Sequence, residues 1–251
     1  MICVKNISKE YNGKKVLDDV SVNIQKGKIT SFIGPNGAGK STAFGIMSRL
    51  IKRDSGEVYI EGKEISQWDK NELSKKIAIL KQSNNINIRL TIKELVSFGR
   101  FPYSQGKLTD EDKKYIDEAL EYMMLTEIKD KYLDEISGGQ RQRAYIAMVI
   151  AQSTEYIFLD EPLNNLDMNN SVKMMKMLRK LCDDLNKTII LVMHDINFTS
   201  CYSDYIIAIK NGKVEIQGNV DEVINEKSLS QIYDMEFDIV DIKNNKIAVY
   251  Y

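Results

Sequence analysis

The sequence predicts an α/β fold in which a mostly parallel sheet is flanked by helices, with an antiparallel β-subdomain before it and a helical subdomain inserted into it. Three observations lead there. Nearly wholly apolar runs of strand length recur at 29–33, 77–80, 156–159 and 188–193. Runs without a polar face suit strands covered on both sides. Ahead of the first run the chain alternates instead, apolar at Ile2, Val4 and Ile7 and again at Val20, Val22 and Ile24, as half-exposed antiparallel strands do. Between the second and third runs, residues from about 90 to 150 read as helices. With 251 residues, 43 % of them hydrophobic, the chain can bury a sizeable core as a single domain, 1–251, with an insertion. The expected division is a core of residues 1–83 and 142–251 around a helical subdomain at 84–141.

The front strands are expected to turn at Asn12-Gly13 and to stop before Lys26-Gly27. The apolar run at 29–33 then enters Gly34-Pro35-Asn36-Gly37-Ala38-Gly39-Lys40-Ser41, which fits G-x-x-x-x-G-K-[ST], the P-loop pattern. Glycines let successive backbone N–H groups turn inward around phosphate oxygens. The helix expected at 43–50 directs its positive end to the same place. Lys40 adds a full charge, Ser41 offers a hydroxyl able to ligate Mg²⁺, and Thr42 continues the polar lining. A strand before the loop and a helix after it make this a phosphate-binding site. Tyr11 is an aromatic of the front subdomain, which would cover one side of a nucleotide. Its ring either stacks on the adenine face or packs on the sheet edge, and the local sequence leaves both open.

Turns at Asp54-Ser55-Gly56 and Glu61-Gly62-Lys63 bracket a strand at 58–60. The strand at 77–80 ends in Lys81-Gln82, and the polar run 83–87 marks a boundary. In the helical stretch, Thr91 with Glu94 fits a capping box, and Thr109 with Asp112 a weaker one. Residues 100–106 read as a loop with exposed aromatics. After Thr109, Ile116, Leu120, Met123 and Met124 fall on one helix face and read as core. Ser137-Gly138-Gly139-Gln140 opens a further helix, and is either an ordinary cap or a second place where amides meet an anion.

The run at 156–159 ends in Asp160-Glu161-Pro162. Carboxylates at the carboxyl end of a buried strand lie where open α/β sheets bind ligands. Asp160 suits Mg²⁺, usually held through water. Glu161, expected on the opposite face of the strand, suits orienting or deprotonating a water. A helix is expected at 168–186. The strand at 188–193 ends in His194, the single histidine, placed to donate to a γ-phosphate. Strands at 205–210 and 214–217 form a hairpin through Asn211-Gly212-Lys213, and the tail at 238–251 reads as two strands around Asn244-Asn245.

Composition narrows the function classes. Lys and Arg total 35 against 36 Asp and Glu, for a net charge of −1, and no basic run stands out, which argues against a nucleic-acid groove. Cys3, Cys182 and Cys201 have neither metal nor disulfide spacing, as expected for reduced thiols in a cytosolic chain. No signal peptide is expected, and no apolar run approaches the ~18 residues that would cross a bilayer.

Together and in this order, the motifs resemble the ATP-binding subunit of an ABC transporter over nearly the whole chain. The resemblance implies a P-loop NTPase core, ATP and Mg²⁺ as ligands, and a role for each motif. Tyr11 matches the aromatic that stacks on adenine, and residues 34–41 the Walker A motif. Gln82 matches the Q-loop glutamine, which reaches Mg²⁺ and the attacking water. Ser137, Gly138, Gly139 and Gln140 match the signature. Residues 156–160 match Walker B, with Asp160 at the metal and Glu161 as catalytic glutamate. Asn164-Asn165-Leu166-Asp167 is similar to the D-loop, and His194 to the H-loop switch. Ile136 departs from the usual leucine before the signature serine, and Asn164-Asn165 from the commoner Ser-Ala.

In this family two copies pair head to tail, and the signature of one reaches the γ-phosphate held by the other. Closing and opening of the pair move integral membrane permease subunits, fed by an extracytoplasmic substrate-binding protein. A groove formed by the Gln82 region and the helical insertion receives a permease helix. The resemblance therefore places the chain on the cytoplasmic face of the cell membrane. Residues 98–103, 108–112 and 163–167 are similar to those of iron–siderophore importer ATPases. Haem and cobalamin importers share the architecture. Soluble ABC ATPases of translation or repair usually carry two cassettes or a long coiled-coil insertion, which this sequence lacks.

Overall fold

The computed structural model describes residues 1–82, 88–164 and 166–251; the polar run at 83–87 and Asn165 lie outside the described residues. The chain opens with strands β1 (Ile2–Tyr11), β2 (Lys14–Ile24) and β3 (Ile29–Ile33), then helix α1 (Lys40–Met47) and strands β4 (Ser55–Ile60) and β5 (Lys63–Glu64). Next come α2 (Lys70–Ser74), β6 (Ile77–Leu80), α3 (Ile92–Ser97), α4 (Phe101–Ser104), α5 (Asp110–Tyr122) and α6 (Gly138–Ala151). Strand β7 (Tyr156–Asp160), α7 (Met168–Leu185), β8 (Thr188–Val192) and α8 (Ile196–Tyr202) follow. The chain closes with β9 (Tyr205–Lys210), β10 (Lys213–Asn219), α9 (Val220–Val223), α10 (Glu226–Tyr233), β11 (Asp238–Ile242) and β12 (Asn245–Val249). These residues form two compact units, Met1–Trp68 with Thr188–Tyr251, and Asp69–Lys187. The described part of the helical segment expected at 84–141 lies in the second unit.

Besides the two-stranded β11-β12 hairpin of its tail, the first unit holds strands of two sheets. One is antiparallel in the order β2-β1-β4-β5, and it buries Ile2, Val4, Ile7, Val20, Val22, Ile24, Val58 and Ile60. The alternation in the sequence thus becomes one covered face. Its tight turns carry paired positive φ angles, 49° and 78° at Asn12-Gly13 and 54° and 79° at Glu61-Gly62, the backbone that two-residue hairpins favour. The expected turn at 54–56 is already strand from Ser55 onward. The other sheet sets β3 between β8 and β9, parallel to both, with β10 antiparallel beyond β9. Every residue of β3 and β8 is buried, the polar Thr30, Ser31 and Thr188 included. The tail hairpin turns at Lys243-Asn244 (φ 50° and 64°), one residue earlier than expected, and β12 packs on α8.

Helix α1 corrects the expected 43–50. It starts at Lys40 because Gly39, at φ 107°, already serves as its N-cap. It stops at Met47 because Arg49 turns left-handed (φ 61°) and the amides of Leu50 and Ile51 both return to the Gly45 carbonyl (2.8 and 2.9 Å).

In the second unit β6 and β7 run parallel, with Ile77 opposite Tyr156, and α3, α5 and α6 pack on one another. Both expected capping boxes form, Thr91 with Glu94 and Thr109 with Asp112. Residues 100–106 are not a loop. Phe101–Ser104 is helical with Pro102 in its first turn, where proline is tolerated. Arg100 is buried: its Nε donates to Asp112 Oδ1 (2.8 Å) and its Nη1 to the Ala151 carbonyl (2.9 Å). The Tyr103 and Tyr115 ring centroids lie 4.0 and 4.2 Å from its guanidinium carbon. Met124 also departs from expectation. It is 72 % exposed because α5 ends at Tyr122 and Met124 adopts φ 54°, which turns it off the face that Ile116, Leu120 and Met123 bury.

Both side chains of the Arg100–Asp112 pair are 4 % exposed. Burial alone would raise the Asp112 carboxyl, but the Thr109 amide and hydroxyl and the Arg100 guanidinium hold it below the usual carboxylate range. Removing one partner leaves a charge without its counterion in a water-poor place. Arg100→Ala is therefore expected to cost about 3 kcal/mol, the low end for a broken buried pair, since the covering Tyr103 is itself 39 % exposed. Chemical denaturation at neutral pH checks this. The depressed carboxyl contributes stability above its ordinary pKa of 3.8 and loses it as pH falls through the lower folded value. Asp112→Asn should accordingly flatten the acid limb of the stability profile.

Candidate nucleotide-binding site

In the first unit the phosphate loop hangs between β3 and α1. Gly34, at φ 136°, has no room for a side chain: a Cβ there would stand 2.0 Å from the Ile209 carbonyl oxygen. The loop is pinned further along by the Gly212 amide, which donates to the Ala38 carbonyl (3.0 Å). Pro35 is half-buried, Asn36 and Gly37 are exposed at the tip, and Ala38, Gly39 and Lys40 are buried. Lys40 is 5 % exposed, and its ammonium donates to the carbonyls of Gly34 (2.7 Å) and Pro35 (2.9 Å). The loop's own oxygens thus satisfy a cation that is aimed into it, the arrangement a phosphate oxygen would take over. Ser41 is exposed and Thr42 half-buried on the first turn of α1.

His194 follows β8. In the parallel register Phe32 faces Val192, and the Met193 amide donates to the Phe32 carbonyl (3.0 Å). Gly34 and His194 therefore leave neighbouring strands at the same end of the sheet. Asp195, next to the exposed His194, caps α8 by accepting the Phe198 amide (2.8 Å). Tyr11 ends β1, is 45 % exposed, and has the Lys9 ammonium 5.1 Å from its ring centroid. One ring face is thereby occupied by a cation, a variant of the sheet-edge reading that still leaves the tyrosine accessible.

In the second unit Asp160 is buried at the end of β7. Glu161 does not continue that strand on the opposite face, as expected. It turns left-handed at φ 52°, a conformation that costs a non-glycine residue about 1–3 kcal/mol. The turn is closed by the Asn164 amide on the Glu161 carbonyl (3.2 Å). Two side-chain amides converge on one carboxylate oxygen: Gln82 Nε2 donates to Glu161 Oε2 at 2.6 Å, and Asn164 Nδ2 donates to the same oxygen. Gln82 and Glu161, far apart in sequence, are brought together.

Ser137 caps α6 in a capping box. Its Oγ accepts the Gln140 amide (3.2 Å), and the Gln140 side chain accepts the Ser137 amide (2.9 Å). Ser137 and Gly138 are exposed, so the first turn of α6 presents amides to solvent. Gly139 admits the Asn170 side chain, which a Cβ there would meet at 3.1 Å. Asn170 in turn holds the Asp167 carboxylate with its backbone and side-chain N–H groups (2.8 and 2.7 Å). Gln142, one turn along α6, donates to the Pro162 carbonyl (2.9 Å). Sequence reasoning missed Gln142 and Asn170 and saw Asn164 only as a departure from Ser. Asn164 lies inside the motif at 164–167 and Gln142 two residues past the one at 137–140, but nothing in their spacing announces the partner.

A glycine-tight loop around a lysine, on a strand that enters a helix, together with an acid-tipped buried strand, defines a P-loop nucleotide-binding protein. Residues 17–164 match the ABC transporter family. Over its whole length the chain is 64 % identical to the petrobactin import ATP-binding protein YclP of Bacillus subtilis (strain 168), and it covers all of that protein. It is 40 % identical to the iron(3+)-hydroxamate import ATP-binding protein FhuC of the same organism, across 94 % of this chain and 89 % of that one. Among solved structures, the dimeric bacterial ABC transporter cassette MJ0796 superposes with a TM-score of 0.78 at 34 % identity, over 88 % of this chain and 99 % of that one. The same cassette has also been solved in a post-hydrolysis state bound to ADP and Pi. The chain belongs to the ABC transporter family, as one of its ATP-binding ATPase cassettes.

The Gln142 contact gives the turn that carries Glu161 a support from α6. Gln142→Leu keeps the side-chain bulk and removes the donor. Steady-state ATP hydrolysis should show kcat lowered by about three- to tenfold, the worth of one hydrogen bond, with KM for ATP unchanged.

Proposed function

We propose that this chain is the ATP-hydrolysing subunit of an ABC importer that energises uptake of iron–siderophore complexes across the cell membrane. The observation that carries the substrate class is the 64 % identity, end to end, to a petrobactin import ATP-binding protein. The 40 % identity to a hydroxamate importer ATPase points to the same class by a second route.

The chain's own residues supply the parts of phosphoryl transfer to water. Residues 34–42 bind the phosphates, with Lys40 leaving the Gly34 and Pro35 carbonyls for them. The Tyr11 ring takes the adenine on its accessible side. Ser41, Asp160 and Gln82 are the proposed oxygen donors to Mg²⁺. Among the described residues no cluster of three His, Cys, Asp or Glu would cage a metal, which fits an ion held largely by phosphate and water oxygens. An ion held by these residues would supply neutralisation of the charge on the transferring phosphoryl group. Glu161 orients and deprotonates the attacking water, and its strained turn and paired amide donors hold it ready. His194 donates to the γ-phosphate.

Two copies act head to tail. The exposed first turn of α6, with Ser137, Gly138, Gly139 and Gln140, meets the γ-phosphate held by the partner copy. A dimer is supported by the dimeric form of the cassette MJ0796. Among the described residues no helix is long and apolar enough to cross a membrane. The membrane path is assigned to permease subunits, with this chain on their cytoplasmic face and a substrate-binding protein on the other side. The segment 84–141 serves as the helical subdomain that faces the permease.

Deleting the chain from its host should abolish growth on ferric siderophore as sole iron source, and the wild-type sequence should restore it. Glu161→Gln should not restore it. The purified variant should bind ATP as the wild type does while turnover falls at least about a hundredfold, the range for a lost general base. Unimpaired growth of the deletion strain on siderophores, with loss of haem or cobalamin uptake instead, would move the substrate to those classes. Near-normal turnover in the variant would remove Glu161 from the chemistry.

A further inference from the structure

The C-terminal segment of the first unit reaches the phosphate loop. The Gly34 amide donates to the Tyr233 hydroxyl oxygen at 3.2 Å. The Gly34 carbonyl accepts the Lys40 ammonium at 2.7 Å. Gly34 is thus pinned on both sides of its Cα, in a backbone conformation (φ 136°) that the loop needs. On ATP binding Lys40 turns to the phosphates and lets the carbonyl go. Tyr233 is then the side chain that still holds this residue.

Tyr233 is itself firmly mounted. It ends α10, and its ring meets Phe237 at 5.8 Å between centroids, while Phe237 meets Tyr250 at 5.6 Å. Lys210 closes the end of α10 by donating to the Gln231 carbonyl and to Asp234 (2.7 Å). Strand β12, which precedes Tyr250, is tied to α8 by a two-way pairing of Asn197 with the Ala248 backbone (2.8 and 3.2 Å). Helix α8 is the one that begins just after His194. The last residues of the chain therefore bridge the start of the phosphate loop and the helix that carries the histidine turn. Burial pushes the Tyr233 hydroxyl up to about 12, so it stays a neutral acceptor at every pH at which the protein works.

We propose that Tyr233 is a positioning residue for ATP binding, which sets the first peptide of the phosphate loop through its hydroxyl, with residues 226–251 as its mount. This rests on the reading of residues 34–42 as the ATP phosphate cradle. One hydrogen bond of ordinary net strength corresponds to about a two- to tenfold change in an equilibrium constant. Tyr233→Phe removes the hydroxyl and keeps the ring that packs on Phe237. The full-length chain, titrated with a fluorescent ATP analogue and assayed for hydrolysis, should show Kd and KM raised about three- to tenfold and kcat within about twofold of wild type. An unchanged Kd, or a fall in kcat alone, would overturn the proposal. If the wild type itself fails to bind the analogue, the cradle reading falls and this proposal with it. Should the phenylalanine variant not fold, hydrogen exchange at the Gly34 amide of the unaltered chain decides. Protection is expected with and without nucleotide, and exchange as fast as at the exposed Gly37 tip would refute the contact.

Discussion

The phosphate loop has its shape because nothing stands between Gly34 and the Ile209 carbonyl. A side chain there would arrive at 2.0 Å from that oxygen, so β3 could not leave the sheet beside β9 along its present path. From this one absence the rest of the loop follows. The chain turns away at φ 136°, its carbonyl comes round to meet Lys40, and α1 begins on that lysine with Gly39 as cap. A buried ammonium is costly unless it is hydrogen-bonded. The Gly34 and Pro35 carbonyls help to meet that need. Preorganisation of this kind is what makes phosphate binding cheap in conformational terms, since the donors need not be gathered when the ligand arrives.

The second unit solves a different problem, the restraint of a carboxylate. Glu161 sits one residue beyond a fully buried strand, in a backbone conformation it would not choose alone. The structure over-determines it from three directions. The i→i+3 turn closes on Asn164, two amides share its Oε2, and Gln142 of α6 steadies the next carbonyl. Side-chain amides orient the carboxylate by hydrogen bonding. The helix that begins at Ser137 thus props the turn that bears Glu161, the proposed catalytic glutamate, through Gln142.

The strands were legible in the sequence because burial leaves a periodic trace. Apolar runs became β6, β7 and β8, the mostly apolar 29–33 became β3, and the alternation of the first residues became the covered face of the antiparallel sheet. Turn chemistry was equally readable at Asn12-Gly13, Glu61-Gly62 and Asn211-Gly212, where the positive φ angles fall on the residues that tolerate them. What failed to show lies where tertiary contacts override local pattern. Residues 100–106 carry Arg, Pro, Gln and Gly and read as loop, yet Phe101–Ser104 is helical beside the buried Arg100–Asp112 pair and only Gln105-Gly106 turns left-handed. Met124 has the right spacing for a core face and loses it to a left-handed turn. Glu161 was placed on a strand face by the rule of alternation, which stops applying one residue before it. In the candidate site the motif residues were named in advance, but Gln142, Asn170 and Tyr233 were not. Their partners lie across gaps in sequence that no local spacing encodes.

One consequence joins the two kinds of restraint. Lys40 and Glu161 are both held by neutral groups, backbone carbonyls in one case and side-chain amides in the other. Ion pairing would stabilise the resting protein and oppose ATP binding by the same amount, because the pair must break before either charge meets the nucleotide. Neutral partners give up less when they let go: a hydrogen bond between a charge and a dipole is exchanged for one between that charge and a phosphate oxygen or a water. The contrast lies in the same chain. Arg100 and Asp112, which serve the fold, are paired with each other and sealed under tyrosine rings. On the proposed reading of Lys40 and Glu161, the carbonyls and amides that bond them are dipoles a nucleotide could displace.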